Sequence, residues 1–450
     1  GAWVGGGVRL LYVSPLKALN TDSHRNLTAP LEELVLAFVA AGEVPQPVRV
    51  RTRSGDTPSA ERQRMARNPP EILITTPETL NILLTSKGGR SILGALQCVI
   101  LDEIHAATGS KRGTHLMTAV ERLTLLSGEF QRIALSATVR PVDEVARFVG
   151  GQELLDSPTD GEPSYRRRPV TTIGSTVAKR YELQVASRLP PKDATGVSPA
   201  EPISVWEPLV DDLRQRVLRN RSTLMFANSR RVTEKVTRLL NEGQDRELAY
   251  SHHGSLSREI RAVVEDRLKQ GRLDAIVSTS SLELGIDIGS LDEVILLRTP
   301  PSVAAAVQRL GRAGHGVGEV SRGSFYPLFE RDLLEAVAVA QGVEEQDIET
   351  IRPVLGPLDV LAQVILSMVA AEPWKLTDLL AFLKTAHPYR QLTRQQFDLV
   401  LEMLAGRYSD SRIRELKPRV TVDRLAGTVK ARPGAARLIY TSGGTIPDRG

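Results

Sequence analysis

The chain has 450 residues, of which 41% are hydrophobic and 25% are charged. These values are ordinary for a globular protein, and the length suggests about three domains. No run of about 18 apolar residues occurs, which excludes a membrane-spanning helix, and the net charge of +5 permits a nucleic-acid partner without requiring one.

In chain order, short apolar runs alternate with longer amphipathic stretches through the first 150 residues. The predicted strands are VRLLYVS, VRVRT, EILITT, CVILDE and RIALSA. Such alternation predicts a parallel sheet with helices on both faces. The single cysteine, Cys98, lies in one of these strands. A lone cysteine excludes an internal disulfide, so we expect a reducing, cytoplasmic location.

A polar segment rich in Pro and Arg at 156–169 separates this region from a second alternating one. The strands predicted there are STLMFAN, LAYSHHG, DAIVSTS, EVILLRT and GSFYPLF. From about residue 346 three stretches with helical periodicity precede an extended basic segment. This order favours a winged-helix module, and a helical bundle is the alternative. The predicted fold is therefore α/β, with two parallel-sheet domains and a mainly helical module.

Two acids, Asp102 and Glu103, end the fourth predicted strand. The carboxyl edge of a parallel sheet is where such sheets bind ligands. Nucleotide hydrolysis needs one carboxylate there for Mg²⁺ and one group for the attacking water. We assign Asp102 to the metal and Glu103 to the water. The alternatives are an acid pair that faces solvent and a metal hydrolase that uses His105 with both acids.

Other segments accompany this acid pair in a fixed order: VSPLKALN, SGDTP, TTPETL, SATV, HHGSLS and QRLGRAGH. Together with DEIH they resemble the superfamily 2 helicase core of DEAD/DEAH-box type, and within it the large helicase-related (Lhr) proteins. The resemblance extends over essentially all 450 residues. It implies RecA-like domains at 1–160 and 161–345, a winged-helix-like domain at 346–436 and the start of a further domain at 437–450.

The resemblance implies an ATP-dependent DNA helicase with ATP and Mg²⁺ as cofactors. Members of the family move 3′ to 5′ along single-stranded DNA, unwind DNA or RNA–DNA duplexes and act in DNA repair or a related process. We expect a monomer. The alternative is a nucleic-acid-binding protein without motor activity, which a nucleotide-binding assay distinguishes from a helicase.

The resemblance also implies roles for single residues around the nucleotide. Ser136 and Thr138 would couple hydrolysis to domain movement, and Arg312 would be the arginine finger. Arg309 lies one helical turn before Arg312, so both guanidinium groups can face the same way. The remaining γ-phosphate and nucleotide contacts would be Gln308, Gly285, Asp287 and His105. Many relatives have Arg where this chain has His315.

Nucleic-acid contacts are expected in loops at the carboxyl ends of strands, where hydroxyls and the N–H groups of helix N-termini can bind phosphates. Such contacts read the backbone and not the base sequence. The alternatives are helix capping for Ser and Thr and turn geometry for Pro. The predicted residues are Ser14, Pro15, Lys17, Thr75, Thr76, Pro77, Asn228, Ser229, Arg230, Ser278 and Thr279.

A glycine-rich GK[ST] loop, which an ATP motor of this kind uses, occurs nowhere in the 450 residues. In the family this loop lies shortly before the VSPLKAL strand, so the chain reads as one that begins just after it. We therefore expect a gap or a rearranged edge in the first sheet, with exposed apolar area. ATP hydrolysis by these residues is expected to be very slow or absent.

Overall fold

The computed structural model describes residues 6–15, 17–45, 48–155, 163–174, 179–187, 206–270, 272–283, 291–314, 319–407, 417–441 and 444–445. They form two compact units. The first combines Gly1–Thr172 with Thr350–Gly450, and the second is Ile173–Glu349. The domain limits expected near 160 and 345 remain predictions. Every helix among these residues is too short or too polar to span a lipid bilayer.

The first unit contains a five-stranded parallel sheet with the strand order β2-β3-β1-β4-β5. Its strands are β1 (Leu10–Val13), β2 (Val50–Arg53), β3 (Ile72–Thr75), β4 (Cys98–Leu101) and β5 (Gln131–Ala134). Leu11, Leu73 and Val99 are fully buried in its core. All of its strand pairings are parallel, which confirms the predicted parallel sheet.

Helices connect these strands. They are α1 (Lys17–Ala40), α2 (Ser59–Arg67), α3 (Pro77–Thr85), α4 (Lys87–Ile92), α5 (His105–Thr108), α6 (Lys111–Ser127) and α7 (Val142–Gly150). Ser110 caps α6 by accepting a hydrogen bond from the N–H of Gly113 at 3.4 Å. A Cβ on Gly113 would lie 2.2 Å from the carbonyl oxygen of Ala107. Only glycine therefore permits the tight turn from α5 into α6 that follows the acid pair.

The first sheet is expected to have a gap or a rearranged edge, and its strand order tests this expectation. The five described strands pair without interruption, so the gap is not observed. β5 lies at one edge, and its residues are exposed or half-buried. The next residue, Leu135, is 46% exposed. After α7, a two-stranded antiparallel hairpin forms from β6 (Gln152–Leu154) and β7 (Tyr165–Arg167).

The second unit contains a six-stranded parallel sheet with the order β10-β11-β9-β12-β13-β8. Its strands are β8 (Arg180–Val185), β9 (Thr223–Ala227), β10 (Ala249–His252), β11 (Ala275–Ser278), β12 (Glu293–Leu297) and β13 (Val320–Tyr326). Its helices are α8 (Trp206–Arg219), α9 (Arg230–Asn241), α10 (Arg258–Lys269), α11 (Val303–Leu310) and α12 (Glu330–Glu344). Every residue of the central strands β9, β11 and β12 is buried.

The C-terminal part of the first unit combines helices with a three-stranded antiparallel sheet, β14-β16-β15. In chain order its elements are α13 (Leu358–Ala371), β14 (Trp374–Lys375), α14 (Leu376–Leu383), α15 (Arg394–Ala405), β15 (Val420–Asp423), β16 (Thr428–Ala431) and α16 (Ala435–Thr441). This is the winged-helix arrangement and not a plain bundle. It joins the first unit because α13 packs on α3, where the hydroxyls of Thr85 and Ser367 lie 2.6 Å apart.

Candidate active site and nucleic-acid loops

The acid pair lies in a sharp turn directly after β4, in the interior of the first sheet. Glu103 has a φ of 47°, in the left-handed region that non-glycine residues rarely adopt. The Oδ1 atom of Asp102 accepts a hydrogen bond from the backbone N–H of Glu103 at 2.9 Å. Both acids are half-buried. Backbone strain of this kind clusters at functional sites, which supports a role for the turn.

His105 connects this turn to the SATV segment after β5. Its Nδ1 accepts a hydrogen bond from the N–H of Ala137 at 3.1 Å and lies 3.4 Å from the hydroxyl of Ser136. Burial lowers the pKa of His105 to about 4, so the imidazole is neutral near pH 7 and carries its proton on Nε2. Nε2 lies 3.4 Å from Oε2 of Glu103, but without hydrogen-bond geometry. The imidazole thus touches both segments.

Of the two residues predicted to couple hydrolysis to domain movement, Ser136 lies beside His105, whereas the side chain of Thr138 has no hydrogen bond or ion pair with any described residue. Ser136 is exposed, with its hydroxyl beside the ring of His105. Thr138 lies two residues further on and is also exposed. The structure therefore brings Ser136 into the network of the acid turn, while the role of Thr138 stays a prediction.

The acid turn fits a magnesium ion. Mg²⁺ usually binds one or two carboxylates together with substrate phosphates and several waters, so it needs no cage made of protein alone. The described part of the chain contains no group of three or more His, Cys, Asp or Glu side chains that could hold a metal ion. The described residues therefore offer no site in which protein ligands alone could hold the metal of a hydrolase. A Mg²⁺ ion bound to a nucleotide would need only Asp102 from the protein.

Two of the predicted nucleic-acid loops lie side by side in the first unit. Ser14 and Pro15 follow β1, and Thr75, Thr76 and Pro77 lead from β3 into α3. Because β1 and β3 are paired in parallel, their carboxyl ends meet at the same sheet edge. The N–H of Ser14 also donates a hydrogen bond to the carbonyl oxygen of Thr75 at 3.0 Å.

The hydroxyls of these loops are largely engaged in local hydrogen bonds. Thr75 donates to the carbonyl oxygen of Arg53 at 2.8 Å. Thr76 caps α3 by accepting from the N–H of Thr79 at 3.4 Å. Pro77 occupies the first helical position. Backbone N–H groups at the start of α3 are thus the better candidates for phosphate contacts. Lys17 begins α1, and its side chain lies outside the described residues.

A residue that sequence analysis missed joins the two loops. The guanidinium of Arg112 donates to both carboxylate oxygens of Glu78, at 2.5 and 3.0 Å. It also donates to the carbonyl oxygen of Pro15 at 2.7 Å. Burial alone would raise the pKa of Glu78, but the charge and hydrogen bonds of Arg112 outweigh burial and lower this pKa. No motif marked Arg112, because its partners lie 34 and 97 residues away.

In the second unit, the Arg309 guanidinium is held inside the domain. Its Nε and Nη2 donate to Oε2 of Glu283 at 3.2 and 3.1 Å, and Nη1 donates to Oδ1 of Asn228 at 3.3 Å. It also lies 5.3 Å from the centre of the Phe226 ring. Arg309 is only 4% exposed. In this structure it faces Glu283 and not an open position for a phosphate.

The other predicted nucleotide contacts of this unit divide into two groups. Gln308 and Arg312 are half-buried, and Arg312 Nη2 donates to the carbonyl oxygen of Glu283 at 2.9 Å. Glu283 thus binds Arg309 through its side chain and Arg312 through its backbone. The remaining positions lie outside the described residues: Gly285, Asp287 and His315.

The loop after β9 carries three predicted nucleic-acid residues. Asn228 is bound to Arg309, as described above. Ser229 caps α9 by accepting from the N–H of Val232 at 3.3 Å. Arg230 is exposed at the first position of α9. Its side chain has no ion pair or hydrogen bond with any described residue, so it is a cation open to a phosphate at this position.

Ser278 ends the neighbouring strand, β11, and Thr279 follows it; hydrogen bonds connect both residues to the HHG segment. The hydroxyl of Ser278 donates to the carbonyl oxygen of Thr279 at 2.8 Å and lies 3.2 Å from the hydroxyl of Ser281. That of Ser281 lies 2.9 Å from Nδ1 of His252, whose Nε2 lies 3.0 Å from Glu265. His252 therefore orders this loop through Ser281, a link that sequence analysis did not predict.

Comparison with known proteins identifies the family. The DEAD/DEAH box helicase model matches residues 4–145, the helicase conserved C-terminal domain matches 207–316, and the winged helix domain of the large helicase-related protein matches 341–450. The Lhr helicase/probable uracil glycosylase of Mycolicibacterium smegmatis is 42% identical over 99% of this chain. ATP-dependent helicase Lhr-Core protein 2 of Thermococcus barophilus is 40% identical over 98%. The chain belongs to the large helicase-related (Lhr) family.

A solved structure of the Mycobacterium smegmatis helicase Lhr, bound to ssDNA and AMP-PNP, shares this fold. It superposes on the Lhr-family chain with a TM-score of 0.87 and 43% identity, over 99% of this chain and 55% of the other. The DUF1998 helicase MrfA bound to DNA and AMPPNP, at 20% identity and a TM-score of 0.68, shares the fold alone. The chain spans 30% of the M. smegmatis relative in sequence and 50% of the T. barophilus one. These matches confirm both helicase domains and the winged helix.

Proposed function

We propose that this Lhr-family chain is part of the core of an ATP-dependent helicase that couples ATP hydrolysis to 3′–5′ movement along single-stranded DNA. We also propose that these 450 residues, which contain no GK[ST] sequence, hydrolyse ATP very slowly or not at all by themselves. Unwinding of DNA or RNA–DNA duplexes, a role in DNA repair, a monomeric state and a cytoplasmic location belong to the same proposal. Its main structural support is the strained turn at Asp102 and Glu103, which His105 connects to Ser136. The relatives' names as ATP-dependent helicases support it further.

The chemistry follows from the charges of the acid turn. Asp102, whose Oδ1 is fixed by a backbone N–H, would hold Mg²⁺, which offsets negative charge on the phosphates when bound. Glu103 orients the attacking water and takes its proton. The neutral imidazole of His105 places no positive charge beside the Glu103 carboxylate. A movement of the Glu103 carboxylate can pass to Ser136 through the His105 ring, which lies next to both.

Residues of the second unit supply positive charge. Arg312 is the proposed arginine finger, since a guanidinium stabilises the charge that develops on the transferred phosphoryl group. Gln308 is a proposed γ-phosphate contact, and Gly285 and Asp287 are proposed nucleotide contacts by resemblance alone. Arg309 holds Glu283 and thereby the segment that binds Arg312; it would reach a phosphate only after leaving Glu283.

The proposed nucleic-acid contacts are to the sugar–phosphate backbone. The N–H groups at the starts of α3 and α9 point from the carboxyl edges of their sheets, where the helix dipole favours anions. Arg230 adds positive charge at the start of α9, and Lys17 is a proposed phosphate contact by resemblance alone. Because these groups recognise phosphates and not bases, the strand is bound independently of its sequence, as a translocating enzyme requires.

Nucleotide binding tests the motor function. A fluorescent ATP analogue with Mg²⁺ should bind the wild-type chain, and Asp102→Ala should abolish that binding while leaving the affinity for an oligo(dT) strand unchanged. Asp398→Ala is the matched control, because Asp398 is a partly exposed acid on α15 that pairs with Arg394. Equal nucleotide affinity in the Asp102 and Asp398 variants would contradict the proposed role of the acid turn.

A nucleic-acid-binding protein without motor activity is the second candidate. It is favoured by the absence of a GK[ST] sequence from the 450 residues, for which we expect slow or no hydrolysis. Binding of oligo(dT) without binding of the ATP analogue would support it. Phosphate release that single-stranded DNA strongly stimulates, measured in a coupled-enzyme assay, would instead exclude it.

A further inference from the structure

A basic pocket in the first unit takes no part in the sites described above. Its volume is about 380 Å³, within the range of small-ligand sites. Three stretches far apart in sequence line it: helix α7, the β6–β7 hairpin and the short 3₁₀ turn His387–Tyr389 with Arg390. Four arginines face it: Arg147, Arg167, Arg168 and Arg390. Two of them come from the Arg-rich segment that separates the two alternating regions of the sequence.

Two of these arginines already have acidic partners. Arg168 lies 2.7 Å from an oxygen of Glu129 and 3.1 Å from one of Glu121. Arg147 lies 3.3 Å from Glu144 on the same helix. Ion pairs of this kind fix the guanidinium groups and offset most of their charge. Arg147 and Arg168 therefore shape the wall and contribute little net charge to a ligand.

The other two arginines have no acidic partner among the described residues. Arg167 is exposed and forms no ion pair or hydrogen bond with any of them. Arg390 donates through Nη1 to Nε2 and to the carbonyl oxygen of His387, at 2.9 and 3.0 Å. These bonds hold Arg390 in place and leave Nε and Nη2 for a ligand. Among the described residues that line the pocket, Asp143 is the one acid, so a net positive charge remains on that lining.

The walls of the pocket are fixed before any ligand binds. The side chain of Arg168 donates to the carbonyl oxygens of Gly150 and Gln152 at 3.0 and 2.8 Å. The N–H of Gln152 donates to the carbonyl oxygen of Thr385 at 2.8 Å. The rings of Phe148 and His387 pack edge to face, 6.3 Å apart. A rigid wall lowers the entropy cost of binding, and two guanidinium groups suit the tetrahedral oxygens of a phosphate.

We propose that Arg167 and Arg390 form a phosphate-binding site in this pocket, separate from the loops at the sheet edges. The phosphate comes either from the backbone of a nucleic-acid strand or from free phosphate. The first source depends on the nucleic-acid binding proposed above, and the second does not.

Arg167→Ala and the double variant Arg167→Ala/Arg390→Ala test this site, with Arg166→Ala as the matched control. Arg166 is the neighbour of Arg167 on β7, but its side chain is 65% exposed, pairs with Glu153 and does not line the pocket. Binding of fluorescein-labelled oligo(dT) is followed by anisotropy at several KCl concentrations. Thermal unfolding of the same proteins is followed in sodium phosphate and in sodium chloride of equal ionic strength.

If the backbone of a strand occupies the pocket, the slope of log K against log [KCl] should become shallower by about 0.7 for each arginine removed, and Arg166→Ala should retain the wild-type slope. If free phosphate occupies it, phosphate should raise the unfolding temperature of the wild type and of Arg166→Ala but not of Arg167→Ala. Either result supports the site and names its source. Variants at Arg167 that match Arg166→Ala in both measurements overturn it.

A wild type that binds no oligo(dT) contradicts the proposed function, while the phosphate measurement still decides on the pocket.

Discussion

The guanidinium of Arg309 is bound to one carboxylate oxygen of Glu283, at 3.1 and 3.2 Å, in the interior of the second unit. Their side chains are 5% and 15% exposed. A buried ion pair is costly to break from one side, because the remaining charge has neither water nor a counter-ion. The pair therefore fixes the segment that ends in Arg312 to the segment that follows β11.

We expect Glu283→Gln to reduce the free energy of unfolding of the second unit by about 3 kcal/mol. Urea denaturation, followed by the circular dichroism signal, measures this loss. The control is Glu182→Gln, which breaks an exposed pair with Arg322 and should change stability by less than about 1 kcal/mol. Adding Arg309→Met to Glu283→Gln should restore part of the loss. Equal effects of the two single Gln variants would show that the buried pair is not structural.

Arg112→Ala should weaken binding of oligo(dT) by about tenfold, which corresponds to about 1.4 kcal/mol. The reason is that Arg112 joins Glu78, in the first turn of α3, to the carbonyl oxygen of Pro15 in the loop after β1. Fluorescence anisotropy at low salt measures the affinity. Arg67→Ala, an exposed arginine at the end of α2, is the matched control and should leave the affinity unchanged. Lost affinity in both variants would indicate a general charge effect and not a role for the loops.

His105→Ala should expose the backbone N–H of Ala137 to exchange, because it removes the Nδ1 atom that accepts this hydrogen bond. Hydrogen–deuterium exchange of the peptide that contains Ala137 measures the effect. His105→Asn is the conservative control, since its amide oxygen can take the place of Nδ1 and should retain much of the protection. An Ala137 amide that stays protected in His105→Ala would mean that His105 does not connect the acid turn to the SATV segment.

The stability of the first unit should fall as the pH drops from about 6.5 towards 4. Burial, with a smaller contribution from Arg122, lowers the pKa of His115 to about 4, whereas an unfolded chain has a histidine pKa near 6.5. Between these values the unfolded state binds more protons than the folded state, so each such histidine costs about 1.4 kcal/mol per pH unit. His105 has the same shift and the same sign.

His115→Gln should remove the contribution of His115 and reduce the fall by about 1.4 kcal/mol per pH unit. Urea unfolding at about pH 7 and about pH 5 measures the slope. His24→Gln is the control, because His24 is only half-buried, on α1. A slope in His115→Gln that equals the wild-type slope would contradict the assignment of a neutral, buried His115.

Much of the fold follows from the sequence alone. Apolar runs of four to six residues between helical patterns predict buried parallel strands, and turn residues mark where each strand ends. Because parallel strands end at a common edge, the sequence also places Asp102, Thr75 and Ser14 near one another. Period and spacing are properties of a local stretch of chain, so they can be read without knowing the packing.

Only the tertiary structure decided which side chains pair. Arg309 binds Glu283, Arg112 binds Glu78, and the ring of His105 reaches Ala137, although none of these pairs is adjacent in sequence. The winged helix shares a unit with the first sheet, a grouping that the chain order does not suggest. The periodicity of apolar residues determines which face of a helix or strand is buried. The partner of a buried charged side chain depends on how several elements pack together, and that packing is set by the whole fold.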